Sequence, residues 1–250
     1  MKSLLFAKLT SLVKFIFKDY HIVKTIYGSK SYKLIDIREN EIFFTFAREV
    51  IDSKKTLLYY DRLFTIFSSI LEINRRASIV SKMYFLEVGV YKGGGSFFIA
   101  SLLKHFFKDG TYCMFSVDTF EGHDKLDLES KYEGKHTTGL FSETSFDSVR
   151  SYLSQFTFIE VIKGRIQDSV NYLPKNSFGF IYLDMDIYSP TIFSLNYFSD
   201  KLIPGGIILL DDYNFKTCPG INKAVEEFVK ANSDFVKIPL QTGQCMLIKL

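Results

Sequence analysis

Five short apolar runs recur between residues 83 and 212, and each is followed by a helical pattern. They are Met83–Val88, Tyr112–Asp118, Phe156–Ile162, Phe178–Asp184 and Gly205–Asp212. Runs that are apolar throughout, rather than alternating, read as strands buried on both faces. Such burial requires a parallel sheet with helices on both sides, an open α/β architecture. The helical patterns run from the glycines at 93–95 to Phe107, then Phe146–Phe156, Ile166–Tyr172, Ser189–Leu202 and Ile221–Ala231. Two last strands, Phe235–Leu240 and Cys245–Leu250, are separated only by Gln241–Gln244. That link is too short for a parallel crossover, so the pair is expected to be antiparallel. A helical pattern over Leu57–Ser81 precedes the first strand. Residues 1–82 therefore read as a helical extension of the same domain, suited to lid or oligomer contacts, and 83–250 as the ligand-binding core.

The totals narrow the function classes. A chain of 250 residues, 47% hydrophobic and 24% charged, is globular and fits one α/β domain. Its 31 basic and 28 acidic side chains leave a net charge of +3, with no nucleic-acid footprint. Cys113, Cys218 and Cys245 are far apart and lack CxxC spacing, so neither a disulfide framework nor a zinc site is expected, and a cytoplasmic setting fits. No apolar run reaches the roughly 18 residues of a membrane span. On a helix, Leu5, Phe6, Leu9, Leu12, Val13, Ile16 and Phe17 share one side, and Lys8, Ser11, Lys14 and Lys18 the other. This basic amphipathic pattern over residues 1–18 is expected to dock on the domain or on a second copy in a homo-oligomer. The alternative is peripheral contact with the anionic inner face of a membrane.

Open sheets of this kind bind ligands beyond the carboxyl ends of their strands. The first such end is FLEVGVYKGGGS, Phe85–Ser96. Gly89 and Gly94 have phosphate-loop spacing, but Gly95 replaces the required lysine, and Tyr91 breaks a dinucleotide GxGxxG. What remains is Glu87-x-Gly89-x-x-x-Gly93, either a loop that lets backbone approach a ligand or simply a tight turn. Asp118 ends the second strand, where a carboxylate can accept from ribose hydroxyls or cap a turn. Asp168 and Ser169 could meet an adenine edge or cap a short helix. Asp184 ends the fourth strand, and Asp211 and Asp212 end the fifth. On neighbouring strands about 4.8 Å apart, three unpaired carboxylates would repel one another. A hard divalent cation, Mg²⁺, resolves this; pairing with Lys or Arg, or helix capping, is the plainer reading. Asp186 lies past the strand end and reads as a supporting or capping group. His123 and His136 fall in the aperiodic polar stretch Glu121–Glu143, as alternative proton acceptors or as solvated loop residues; His21 and His105 read as structural.

Four blocks in order, EVGVYKGGGS, VDTFEG, LDMDIYSPT and PGGIILLDDY, span Phe85–Tyr213. Together they resemble the class I S-adenosylmethionine (SAM)-dependent methyltransferases, and within them the macrocin O-methyltransferase (TylF-type) family, which methylates sugar hydroxyls. The resemblance implies a Rossmann-like, mostly parallel sheet with an antiparallel last strand. It implies that Glu87, Gly89, Gly93, Gly94 and Ser96 shape the SAM loop, that Asp118 binds the ribose with Thr119, Phe120 and Glu121 close by, and that Asp168 lies near the adenine. Asp184, Asp211 and Asp212 would hold Mg²⁺, with Asp184 also accepting the acceptor's proton. Met185 stands where the family often has glycine, and the triple glycine is longer than the loop needs. The implied acceptor is a saccharide or glycosylated metabolite. A catechol-like phenol, or a membrane-surface binding protein with a degenerate nucleotide pocket, are the alternatives.

Overall fold

The structure, a computed structural model, describes residues 37–128 and 131–250. The amphipathic pattern of residues 1–18, with its docking and membrane readings, and His21 lie outside the described residues. Helices α1 (Glu41–Asp52) and α2 (Tyr60–Asn74) precede β1 (Met83–Val88). The chain continues through α3 (Gly94–Phe106), β2 (Tyr112–Asp118), α4 (Phe146–Leu153) and β3 (Ile159–Lys163). Helix α5 (Ile166–Ser169) runs into a 3₁₀ turn, Val170–Tyr172, before β4 (Phe178–Leu183). Helix α6 (Tyr188–Phe198), β5 (Leu202–Leu210), α7 (Pro219–Ala231), β6 (Phe235–Pro239) and β7 (Cys245–Lys249) follow.

The sheet order is β3-β2-β1-β4-β5-β7-β6. Strands β1 to β5 are parallel, and β7 runs antiparallel to both β5 and β6. The chain turns back at β1 and β4, which opens a crevice at their carboxyl ends. Leu183 pairs with Leu210, so Asp184 and Asp211 leave the sheet side by side.

Strand alternation sorts the side chains into two cores. Phe85, Met114, Phe180, Tyr182 and Leu209 face α1, α2 and α3, against Phe43, Ile66 and Phe98. Leu86, Val117, Ile181, Ile208 and Leu247 face α5, α6 and α7, against Ile166, Leu195 and Val225. Helices α1 and α2 thus share the core of the strands that follow them. Side chains fix several helix starts: Asn40 Oδ1 accepts from the Phe43 amide (3.0 Å) and Ser145 Oγ from the Ser148 amide (3.2 Å). Proline at the first turn starts α7.

Some boundaries move from expectation. The helix expected over Leu57–Ser81 is α2 plus a separate turn, Ala77–Ile79. Strand β3 starts at Ile159 rather than Phe156. The Phe156 ring instead packs between Phe97 (5.3 Å) and Phe158 (5.7 Å), filling the corner between helix and sheet. No helix among the described residues is long and apolar enough to cross a membrane.

Candidate active site

A cavity of about 510 Å³ lies at the carboxyl ends of β1, β2, β4 and β5. Its first wall is the turn between β1 and α3. Gly89 has φ +89, and a Cβ there would stand 1.8 Å from the Asp184 carbonyl oxygen. The three following glycines have separate reasons. Gly93 takes φ +87 as the left-handed start of α3. A Cβ on Gly94 would meet the Lys55 carbonyl at 2.7 Å, and one on Gly95 the Glu87 carboxyl at 2.1 Å. The triplet is therefore as long as its packing demands.

Glu87 is 2% exposed. Ser96 Oγ donates to Glu87 Oε2, and Ser96 meets Ser116 Oγ at 2.7 Å. Burial pushes the Glu87 carboxyl up to about 8; the Ser96 hydrogen bond opposes this and the Asp118 charge adds to it.

Asp118 ties two loops together. Its Oδ2 accepts from the amides of Val90 (2.7 Å) and Tyr91 (2.9 Å), and its Oδ1 from the amide of Phe120 (2.7 Å). Glu87, Gly89, Asp118 and Thr119 line the cavity, together with Asp184, Asp211 and Asp212. Other residues singled out in the sequence stand elsewhere. Gly93, Gly94 and Ser96 support the wall from behind. Phe120 is buried against Phe146, 5.6 Å between rings. Glu121 is exposed and pairs with Lys163 at 2.7 Å. Asp168 is exposed and pairs with Arg165 at 3.4 Å. Arg165 lines the cavity itself, where it grips buried Asp127 with two hydrogen bonds (2.7 and 3.0 Å).

The second wall is the acidic rim. Asp184, Asp211 and Asp212 each offer an oxygen, all within 4.8 Å of one another. Arg62, from α2, donates through Nη1 to Asp211 and through Nη2 to Asp212 (3.2 Å), with its guanidinium 4.7 Å from the Phe215 ring. Burial works against the Arg62 charge, but Asp211 and Asp212 outweigh it and hold its pKa above the usual range. Burial pushes Asp211 up to about 7 despite Arg62. Burial and the charges of Asp211, Asp186 and Asp212 push Asp184 well up. Asp184 accepts no side-chain hydrogen bond among the described residues. Asp211 Oδ1 has no partner within hydrogen-bond geometry among the described residues, although the Gln244 amide is near enough to favour its charge.

The third wall comes from the segment after β2, whose described residues form turns and a single 3₁₀ helix, Lys125–Asp127. It brings His123, His136, Leu140 and Phe141 over the cavity. His123 Nε2 lies 2.9 Å from His136 Nδ1, and His136 Nε2 lies 3.5 Å from Cys218 Sγ. Asp186, at φ 63, reaches the same group. Sequence reasoning passed over Arg62 and the Asp127–Arg165 pair, and it set Cys218 aside as a metal ligand. A single arginine on a helical pattern carries no signal of its own, and His136 and Cys218 are 82 positions apart in the chain.

The family model described as macrocin-O-methyltransferase (TylF) matches residues 62–242. The 8-demethyl-8-(2,3-dimethoxy-alpha-L-rhamnosyl)-tetracenomycin-C 4'-O-methyltransferase of Streptomyces olivaceus is 25% identical over 141 residues, 53% of this chain and 54% of that protein. The mycinamicin III 3''-O-methyltransferase of Micromonospora griseorubida is 26% identical over 154 residues, 57% of this chain and 59% of that protein. The chain thus spans somewhat over half the length of the curated relatives it matches. Among solved structures, the O-methyltransferase NovP aligns with a TM-score of 0.64 at 21% identity, covering 78% of this chain and 81% of that one. The calicheamicin methyltransferase CalS11 aligns with a TM-score of 0.59 at 17% identity, covering 90% and 99%. These two share the fold.

Proposed function

We propose, since the chain belongs to the macrocin-O-methyltransferase (TylF) family, that it transfers a methyl group from SAM to a hydroxyl of a saccharide or glycosylated metabolite. The observation that carries this reading is the meeting, in one cavity, of the glycine turn with the Asp184–Asp211–Asp212 rim. The names of the relatives support the acceptor class, since one of them carries a rhamnosyl group.

The residues suit both groups the reaction needs. Gly89 lines the cavity and leaves no room for a side chain beside the Asp184 carbonyl, and Asp118 pins the adjoining amides of Val90 and Tyr91. Bound there, SAM supplies a methyl group already activated by its sulfonium. The rim offers only carboxylate oxygens, which match a hard cation, and three acids face one guanidinium. Asp184, Asp211 and Asp212 would hold Mg²⁺, which supplies a Lewis acid that lowers the pKa of an acceptor hydroxyl.

The chain's own residues then align and accept. The acceptor oxygen would be held in line with the methyl carbon, so that the new carbon–oxygen bond forms as the carbon–sulfur bond breaks and a neutral thioether is released. The hydroxyl proton passes to a carboxylate, and we assign that role to Asp184. Val90, Tyr91, Phe141 and Met185 line the cavity and keep water from the methyl group. Placement of this kind can supply about 7–11 kcal/mol of the barrier.

The test is calorimetric titration of SAM into wild type and Asp118→Ala, with and without Mg²⁺, followed by a panel of saccharide and catechol acceptors. Micromolar binding to wild type and methylation of saccharides alone are expected. Failure of the wild-type protein to bind SAM would sink the reading. A cytoplasmic homo-oligomer using contacts within residues 1–82 completes the proposal, and a monomer by light scattering at micromolar concentration would count against it.

A further inference from the structure

His123, His136, Asp186 and Cys218 form a second cluster beside the acidic rim. Their mutual contacts are His123 Nε2 to His136 Nδ1 at 2.9 Å, His136 Nε2 to Cys218 Sγ at 3.5 Å, Cys218 Sγ to Asp186 Oδ1 at 3.6 Å and His123 Nε2 to Asp186 Oδ2 at 3.9 Å. His123, His136 and Asp186 can each offer one ligand atom within 4.8 Å of the others. The cluster is sheltered: Cys218 is 3% exposed, and the His123 and Asp186 side chains are 9% and 16% exposed. Three separate chain segments supply it. The histidines come from the segment after β2, Asp186 from the end of β4, and Cys218 from the turn before α7.

We propose that this cluster binds a borderline transition-metal ion, Zn²⁺ in the first instance, at a site that adjoins the Asp184–Asp211–Asp212 rim where Asp186 and Cys218 come within 4.8 Å of Asp212. The donor chemistry makes the distinction. Imidazole and thiolate suit Zn²⁺ and do not suit Mg²⁺, whereas the rim offers only carboxylates. Zinc bonds of about 2.0–2.1 Å to nitrogen and about 2.3 Å to sulfur at tetrahedral angles place the two ligand atoms about 3.6 Å apart. The His136–Cys218 and Cys218–Asp186 separations already have that length. His136 turns Nδ1 to His123 and Nε2 to Cys218 and can bind through only one. The ion therefore takes Nε2 together with Cys218 and Asp186, and His123 joins as a ligand only by a side-chain shift that breaks the hydrogen bond between the two rings. Burial and the neighbouring ring push His123 down to about 4, so it stands neutral and ready to bind. Cys218 loses its proton as the ion binds, which makes binding stronger at higher pH.

Such an ion would clip the segment that carries His123 and His136 onto the strand ends. It would fix the cover formed by His123, His136, Leu140 and Phe141 over the cavity without touching the Gly89–Gly93 turn. The proposal does not depend on the methyltransferase reading.

The test uses full-length, untagged, reduced protein, with ZnCl₂ and CoCl₂ as probes and millimolar Mg²⁺ present throughout. About one equivalent of Zn²⁺ should survive dialysis, measured by mass spectrometry of the metal. The Co²⁺ form should show intense tetrahedral bands and a thiolate-to-cobalt charge-transfer absorption. Cys218→Ser should abolish the charge-transfer absorption while leaving Co²⁺ bound. His123→Gln with His136→Gln should lower Zn²⁺ affinity at least tenfold, with folding checked by circular dichroism. Zn²⁺ binding as tight in the double histidine variant as in wild type would place the ion on the acidic rim and overturn the proposal. A six-coordinate Co²⁺ spectrum unchanged by Cys218→Ser would overturn it as well.

Discussion

Replacing Glu87 with glutamine isolates one buried proton. In the folded protein the Glu87 carboxyl is pushed up to about 8, chiefly by burial. In the unfolded chain a glutamate titrates near 4.3. Between these values the folded state holds a proton that the unfolded state has released. Stability therefore falls as pH rises through that window, and the loss is complete above the folded pKa. The slope is about 1.4 kcal/mol per pH unit, or on the order of 5 kcal/mol across the whole window. Glutamine has nearly the same shape and never ionises. Glu87→Gln should thus exceed wild type by only about 1 kcal/mol near pH 5 and by several kcal/mol near pH 8.5, less about 1 kcal/mol at both if the Ser96 hydrogen bond is lost. For a chain of this size each kcal/mol moves Tm by about 2–4 °C. Melting curves of both proteins from pH 5 to pH 9, in chelator, give the difference directly. Titration of the acidic rim is common to both and cancels. A Tm difference that stays constant across the range would refute the buried-proton argument.

Three further perturbations address the other walls. Arg62→Met leaves Asp211 buried without its cation. It should cost about 3–5 kcal/mol in chelator, and millimolar Mg²⁺ should raise the Tm of the variant more than that of wild type; equal shifts would show that the guanidinium and the ion do not compete. Gly95→Ala drives a methyl group into the Glu87 carboxyl, 2.1 Å away, and should cost about 1–3 kcal/mol with weakened SAM binding by calorimetry; an unchanged Tm would mean the turn yields freely. Asp118→Asn keeps one acceptor oxygen and turns an NH₂ donor toward amides that need an acceptor, so the urea midpoint should fall by the equivalent of about 1–3 kcal/mol. No change in midpoint would mean the loops do not rely on that carboxylate.

The parts of the site that lie on strands were legible in the chain. Continuous apolar runs located β1, β2 and β4 almost to the residue, and the parallel order of β4 and β5 followed from the βαβ unit between them. Acids at the ends of those runs therefore had to share a rim, and Asp184, Asp211 and Asp212 do. Residues placed by side-chain geometry were not legible. Asp168 has the same local pattern whether it faces a cavity or, as here, solvent and Arg165. Phe120 and Glu121 follow Asp118 directly, yet the turn at φ 54 sends Phe120 into the core and leaves Glu121 outside. The stretch Glu121–Glu143 has no period because backbone bonds such as His123 to Leu140 (3.1 Å) and Gly139 to His123 (2.9 Å) hold it, not a packed face. A segment fixed in that way shows no repeating pattern to read.

That same segment bears on how the chain can change over evolutionary time. Substitutions in β1, β4 or β5 disturb the register and both cores at once, so the half of the cavity they build is conservative by construction. The cover over the other half contributes little to either core, and its tip residues Leu126 and Leu140 are exposed. Away from buried Asp127 and Glu133, it can exchange side chains at small cost to folding. Acceptor preference can therefore drift while the chemistry at the strand ends stays the same, and new specificities can arise within one scaffold by editing a single loop.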